Sequence, residues 1–363
     1  MANGEWRMAS DQGQWRMANA PSRKSRGLRA GLLALLLAAV AGAVPFERAV
    51  VNEAWCPPGW TVIVGHRYGS ITADGEPGRD TLAVEARVRV EGSDRAAGRA
   101  FGRDIELSLA SWAETVFVSV LYPELPEPSA ELSWEVDLAL VLPARARLEV
   151  ANQFGDVTCR NLRAGCRVEN SFGDVALAGC RDSRVLSRHG DVEIAANDGG
   201  LQVTNSYGNV YLDGVESRAR VDNCYGDVEG TGLDGEVRLA NVMGRIVTRD
   251  SRGQVALVNR FGEVEAWVED TGLAELDVQA ELSRVRLNLA RTMPFRLGGR
   301  VFEGLVRCGL PVEVRDHGNE QVVSGSAGRG GPQIRLTGAW TDFDIGPDST
   351  GDSLTAPARE KTE

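Results

Sequence analysis

Val203-Thr204-Asn205-Ser206-Tyr207-Gly208-Asn209-Val210 returns eighteen residues later as Val221-Asp222-Asn223-Cys224-Tyr225-Gly226-Asp227-Val228, and that recurrence decides the fold. Working outward, the same glycine stands at Gly155, Gly173, Gly190, Gly208, Gly226, Gly244 and Gly262, at intervals of 18, 17, 18, 18, 18 and 18. Three residues before it stand Asn152, Asn170, Asn205, Asn223, Asn241 and Asn259, with Ser187 in the remaining copy. A ring or Met243 immediately precedes each glycine, and a β-branched residue follows two places on. On both sides of this N-x-(F/Y)-G corner apolar and polar residues alternate, which is the period of a strand with one buried face.

A unit of this length is too short for a βαβ crossover or a helical repeat pair. What remains is a coil of short strands stacked on its neighbour by parallel hydrogen bonding. The expected fold is therefore all-β, a single-stranded parallel β-helix (β-solenoid) with rungs of about 18 residues, right-handed. Neighbouring rungs would lie about 4.8 Å apart, setting like side chains in files. The Val files would fill the interior, and the Asn side chains would bond amide to carbonyl from rung to rung. The rings would stack and pack at the corner. Glycine would supply a positive φ or close backbone approach.

The regular array is expected over 148–290. An N-terminal β region and cap would occupy 44–147, C-terminal coils and a cap 291–345, and a disordered tail 346–363. Degenerate copies begin at Val62, Leu276 and Ile334, the second after a three-residue insertion, and read as flanking rungs. Between Leu82 and Leu142 the alternation continues without the glycine period, and residues 324–332 read as a glycine-rich loop.

Residues 1–43 form an address. Arg23, Lys24, Arg26 and Arg29 precede an apolar run over 30–46 with a small-residue tail, the order of a secretory signal peptide. Cleavage after Ala41 or Ala43 is the expectation, with an uncleaved N-terminal membrane anchor the alternative. A near-duplication of Trp6-Arg7-Met8 at Trp15-Arg16-Met17 points to Met17 as the true start. The remainder of the chain would be exported, to the periplasm, the cell surface or a membrane-tethered position.

Composition narrows function. The 363 residues are 43% apolar and carry a net charge of −11, a surface that nucleic acid repels. Membrane contact would come only through the N-terminal segment. The six cysteines permit disulfides in an exported chain, but their repeat positions differ; Cys159 and Cys166 fall on inward-facing places. No metal or cofactor is expected: C-x-x-C is absent and His66, His189 and His317 are far from ligand spacing. The turn column Asp156, Asp174, Asp191, Asn209, Asp227, Arg245 and Glu263 invites Ca²⁺, yet reads better as solvent-facing turn residues. His189 beside Asp191 resembles an acid/base pair, set against a simpler place for His189 in the ring column. The ring column itself would be a sugar-stacking strip only if it faced outward.

These features together resemble the bacterial putative-adhesin family of unknown function, over residues 62–345. The resemblance rests on the G-D-V tripeptides at Gly155, Gly173, Gly190 and Gly226, on Leu142-Pro143 before the first rung, and on the closing Gly330-Gly331-Pro332 with Ile334 and Leu336. It implies an exported or tethered envelope protein with adhesin-like binding or a part in envelope-stress signalling, and it brings no catalytic residues. The expected function is a non-catalytic binding or scaffold module whose partner is an envelope component or another protein. The alternative is a β-helix polysaccharide lyase or hydrolase.

Overall fold

The computed structural model describes residues 6–9, 14–17, 45–124, 132–269 and 272–347. The proposed signal segment, apart from two short paired strands at Trp6–Ala9 and Gln14–Met17, lies outside the described residues, as does the tail beyond Pro347. No helix among the described residues is long and apolar enough to cross a membrane. The chain is all-β with mostly parallel pairing, and it divides into two compact units, residues 1–173 and 174–363.

In the second unit the strands form two parallel files that follow the sequence repeat. One file sets Val185, Val203, Val221, Leu239, Leu257, Val278 and Leu336 in successive register. The other sets Val175, Val192, Val210, Val228, Ile246, Val264, Val285 and Phe343 side by side. All of these side chains are buried. Each such residue, freed from water on both sides by its neighbours, contributes about 1.5–3 kcal/mol. The core therefore contains these two columns, each built by one repeated position and aliphatic except at Phe343, with further buried files such as Leu177, Ile194 and Leu212 beside them.

One residue of the three-residue insertion is taken up by a register shift between Gly253 and Gln254, after which Asn259 pairs with Ala280. The order of rungs at this end departs from simple succession. Leu273–Glu281 pairs with Gln333–Ala339, and only beyond that lies Phe295–Phe302. The stretch expected as a loop at 324–332 is in part a strand, because Glu320–Ala327 runs antiparallel to Phe295–Phe302. On its other side this strand pairs antiparallel with Val312–Asp316, and Gly325 is what admits that approach: a Cβ there would overlap Val312.

The first unit repeats the plan. The degenerate copy Thr61–Gly65 lies parallel to Arg147–Phe154, and Ile71–Glu76 to Val157–Arg160. Arg147–Phe154 in turn pairs with Cys166–Phe172, Asn152 against Asn170. Cys159 and Cys166 take buried places in register with Ala73 and Leu148. Phe46–Trp55, Thr81–Gly92 and Leu132–Pro143 make an antiparallel sheet beside these rungs. The alternation between Leu82 and Leu142 is broken by one helix, Arg95–Arg103, capped by the Asp94 carboxylate on the amides of Ala96 and Ala97.

Candidate functional site: the corner of the rungs

Each rung turns at the glycine, and the neighbouring columns converge there. Gly208 and Gly226 have φ of +137° and +124°, a region that L side chains rarely enter. A Cβ on Gly226 would collide with the carbonyl oxygen of Gly208 in the rung beside it. The corner backbones are thus in direct contact, and only hydrogen fits between them.

Four of the buried Asn residues, Asn152, Asn170, Asn241 and Asn259, donate to those corner carbonyls. Asn170 donates from Nδ2 to Gly155 O (3.1 Å) and Gly173 O (2.9 Å), bridging its own rung and the one before. Asn152 does the same with Gly69 and Gly155, Asn241 reaches Gly226 O (2.8 Å), and Asn259 reaches Gly244 O (3.2 Å). The expected amide-to-carbonyl bond between stacked Asn side chains occurs between Asn223 and Asn241, at 3.3 Å. At Asn152, Asn170, Asn241 and Asn259 the acceptor is instead the glycine carbonyl, exposed by the positive φ. Asn205 is buried in register with Ser187 and Asn223.

The acidic column has a role that the sequence reading missed. Asp174 Oδ1 accepts from the amide of Asp191 (2.8 Å), Asp191 Oδ1 from that of Asn209 (2.7 Å), Asn209 Oδ1 from that of Asp227 (2.9 Å), and Asp227 Oδ1 from that of Arg245 (2.8 Å). Each of these side chains receives the next rung's equivalent N–H, so the column, exposed at Asp156 and Asp174 and half-buried at Asp191, Asn209 and Asp227, faces water as expected and is a row of structural acceptors as well. Asn209, an uncharged acceptor in an acidic column, was the available signal. Arg245 closes the series with Nε and Nη2 on Asp227 Oδ2, at 3.2 and 3.1 Å. Among the described residues no group of three or more His, Cys, Asp or Glu is placed to hold a metal ion.

His189 stands in register with Tyr207 and stacks on it, centroids 4.8 Å apart and planes 8° from parallel. Asp191 is engaged with the Asn209 amide. The two side chains assigned to a candidate acid/base pair thus each belong to a column.

The rings differ most from expectation. They stack, but they do so at the surface: Phe154 is 38% exposed, Tyr207 48% and Tyr225 42%. In the second unit His189, Tyr207 and Tyr225 form one stack, the last pair 4.9 Å apart and 3° from parallel, and Met243 continues the register. In the first unit Tyr68, Phe154 and Phe172 form another. The central ring of each stack has both faces covered by its neighbours. Sugar stacking uses ring faces, so it has no purchase on Tyr207 or Phe154. What the row offers outward is ring edges and, at Tyr207 and Tyr225, hydroxyl-bearing rims at the rung repeat.

No family model matches the chain, and no curated protein matches it. Among solved structures the chain is similar to a putative cell adhesion protein from Clostridium sporogenes, at 7% identity and a TM-score of 0.19, covering 83% of this chain and 100% of that one. It is also similar to a putative adhesin from Bacteroides fragilis, at 8% identity and a TM-score of 0.28, covering 83% of this chain and 97% of that one. With identities and scores at that level, function has to be argued from this chain's own side chains.

Proposed function

We propose that the chain is an exported cell-envelope β-solenoid that acts as an adhesin-like binding or scaffold module without catalysis, and that it engages its partner along the ring-bearing corner of its rungs. The observation that carries this is the exposed stack of His189, Tyr207 and Tyr225. Three rings held parallel by a rigid corner lose little freedom on binding, and aromatic side chains dominate binding surfaces for that reason. The acidic side chains beside them are spent on backbone amides, which leaves no convergent pair for acid/base work at that corner. An N-terminal run with the order of a signal peptide supports export of such a surface to where an envelope component or another envelope protein would meet it.

The test is binding of the full chain to its native envelope fraction, with Tyr207 and Tyr225 both replaced by Ala. A loss of at least about tenfold in affinity, with the folded state retained, is expected for two central aromatic contacts. Binding unchanged by the double substitution would remove the ring row as the contact.

A further inference from the structure

In the second unit the sheet that carries the Val203 file ends on the strand Val312–Asp316. The last strands lie in the order Leu273–Glu281, Gln333–Ala339, Phe295–Phe302, Glu320–Ala327 and Val312–Asp316. Among the described residues no strand pairs with the far edge of Val312–Asp316. Four of its five residues are exposed, Val314 among them. An open edge of this kind is a template for another strand unless its side chains prevent it.

The hairpin turn fixes the backbone phase of that edge. His317 donates its amide to Glu320 O at 2.8 Å, which makes these two a hydrogen-bonded pair. Counting back along the antiparallel register, Arg315 with Val322 and Glu313 with Ser324 are hydrogen-bonded pairs. Asp316, Val314 and Val312 alternate with them and aim their N–H and C=O groups away from the sheet. The Val312 amide turns back to Leu310 O (2.8 Å), which leaves the amides of Val314 and Asp316 and the carbonyls of Val312 and Val314 for a second strand.

The side chains select that strand. Glu313 and Arg315 share one face and pair with each other through two bonds of 2.8 Å. A second copy of the same strand, run antiparallel about Val314, sets Glu313 opposite Arg315 of the other copy, and Arg315 opposite its Glu313. These are non-hydrogen-bonded positions, where facing side chains come closest, and the four charges alternate around a square. On the other face Val314 meets Val314, and Val312 meets Asp316. A slip of two residues sets Glu313 against Glu313 or Arg315 against Arg315, and a parallel arrangement sets each against itself. A slip of one residue loses the backbone phase. Beyond the strand, the turn His317-Gly318-Asn319 falls beside Pro311 and Leu310 of the second copy, which carry no charge.

We propose that Val312–Asp316 is the contact through which two copies of this chain join, antiparallel about a two-fold axis at Val314, so that one sheet runs through both. Five residues a side fall short of the roughly 800 Å² per partner of a standard interface, so the pairing is weak, with a dissociation constant of about 0.1–1 mM. A pair presents two ring-bearing corners at once, which strengthens the hold on a partner displayed in many copies. That consequence, unlike the pairing itself, rests on the corner being the contact surface.

The test is the molar mass of the full chain by sedimentation equilibrium, from about 10 μM to about 1 mM. The wild-type chain is expected to pass from monomer to dimer. E313R and R315E each set like charges across the two-fold axis and should weaken pairing at least about tenfold. An equal mixture of the two, with Arg facing Glu at every place, should recover it, and so should the swap E313R/R315E. V314P removes the two central amides at an open edge, where proline is tolerated, and should abolish pairing. All four variants change exposed positions, so their circular dichroism at low concentration should match the wild type. Exchange of the Val314 and Asp316 amides should slow with concentration in step with the mass. A chain that stays monomeric throughout overturns the proposal. Association that E313R, R315E or V314P leaves unchanged, or a mixture that pairs no better than its components, does so as well.

Discussion

A single hydrogen atom at each corner decides whether rungs can touch. At Gly226 a methyl group would face both a positive φ and the Gly208 carbonyl of the adjoining rung. Gly226→Ala is therefore expected to cost at least about 3 kcal/mol, measurable as a lowered denaturation midpoint. The acidic column obeys a gentler rule. Asp191→Ala removes the acceptor from the Asn209 amide and should cost about 1.5–3 kcal/mol, whereas Asp191→Asn, which keeps an acceptor as Asn209 itself does, should recover most of that. Equal losses in the two variants would show that charge, and not the hydrogen bond, is what the column needs. His66, which takes the Asn place in the first degenerate rung, is buried and hydrogen-bonded through Nε2 to Val136 O at 2.7 Å. Desolvation lowers its pKa from 6.5 to about 4, the bond to Val136 only partly opposing the shift. As pH falls through 6.5 the unfolded chain gains a proton there and the folded chain does not until about 4. Stability present above that window is thus lost within it, by about 3 kcal/mol. Denaturation measured from pH 7 to pH 4 should show this slope, and His66→Asn should flatten it.

At the scale of one rung, the columns act as shared walls. Leu257 is buried between Leu239 and Val278, so Leu257→Ala opens a cavity that touches three rungs and should cost about 2–5 kcal/mol in the second unit. The rungs were legible because their register is written in the sequence: Gly, Val and Asn recur at one spacing, and each shared position is one column. Which way the ring faced was not legible, because alternation of period two does not say what becomes of a residue at the corner itself. The helix Arg95–Arg103 was missed although Asp94 stands before it as a cap, since strand alternation on both sides, in Thr81–Gly92 and Glu106–Trp112, masked a segment only nine residues long. The hydrogen bonds of the acidic column join residues eighteen apart and needed the rungs in place before they could be seen.

For the molecule as two units, stability follows the logic of a repeat array, a sum of rungs and of contacts between neighbours. The order of rungs at the ends was hidden from the sequence for the same reason that the fold was plain: every rung offers the same alternating edge, so nothing local says that Gln333–Ala339 precedes Phe295–Phe302 in the stack. In the second unit the outlying strand Val312–Asp316 pairs with Glu320–Ala327 and has four exposed residues of five. Its amides should exchange faster than those of Ala219–Tyr225, which is paired on both sides. Every column in this fold requires residues one period apart to be neighbours. Nuclear Overhauser contacts between Val203 and Val221, and between Val221 and Leu239, measure that directly. Contacts at the strand spacing of about 4.8 Å across both pairs are predicted. Their absence, with Val221 in contact instead with an antiparallel partner, would contradict it.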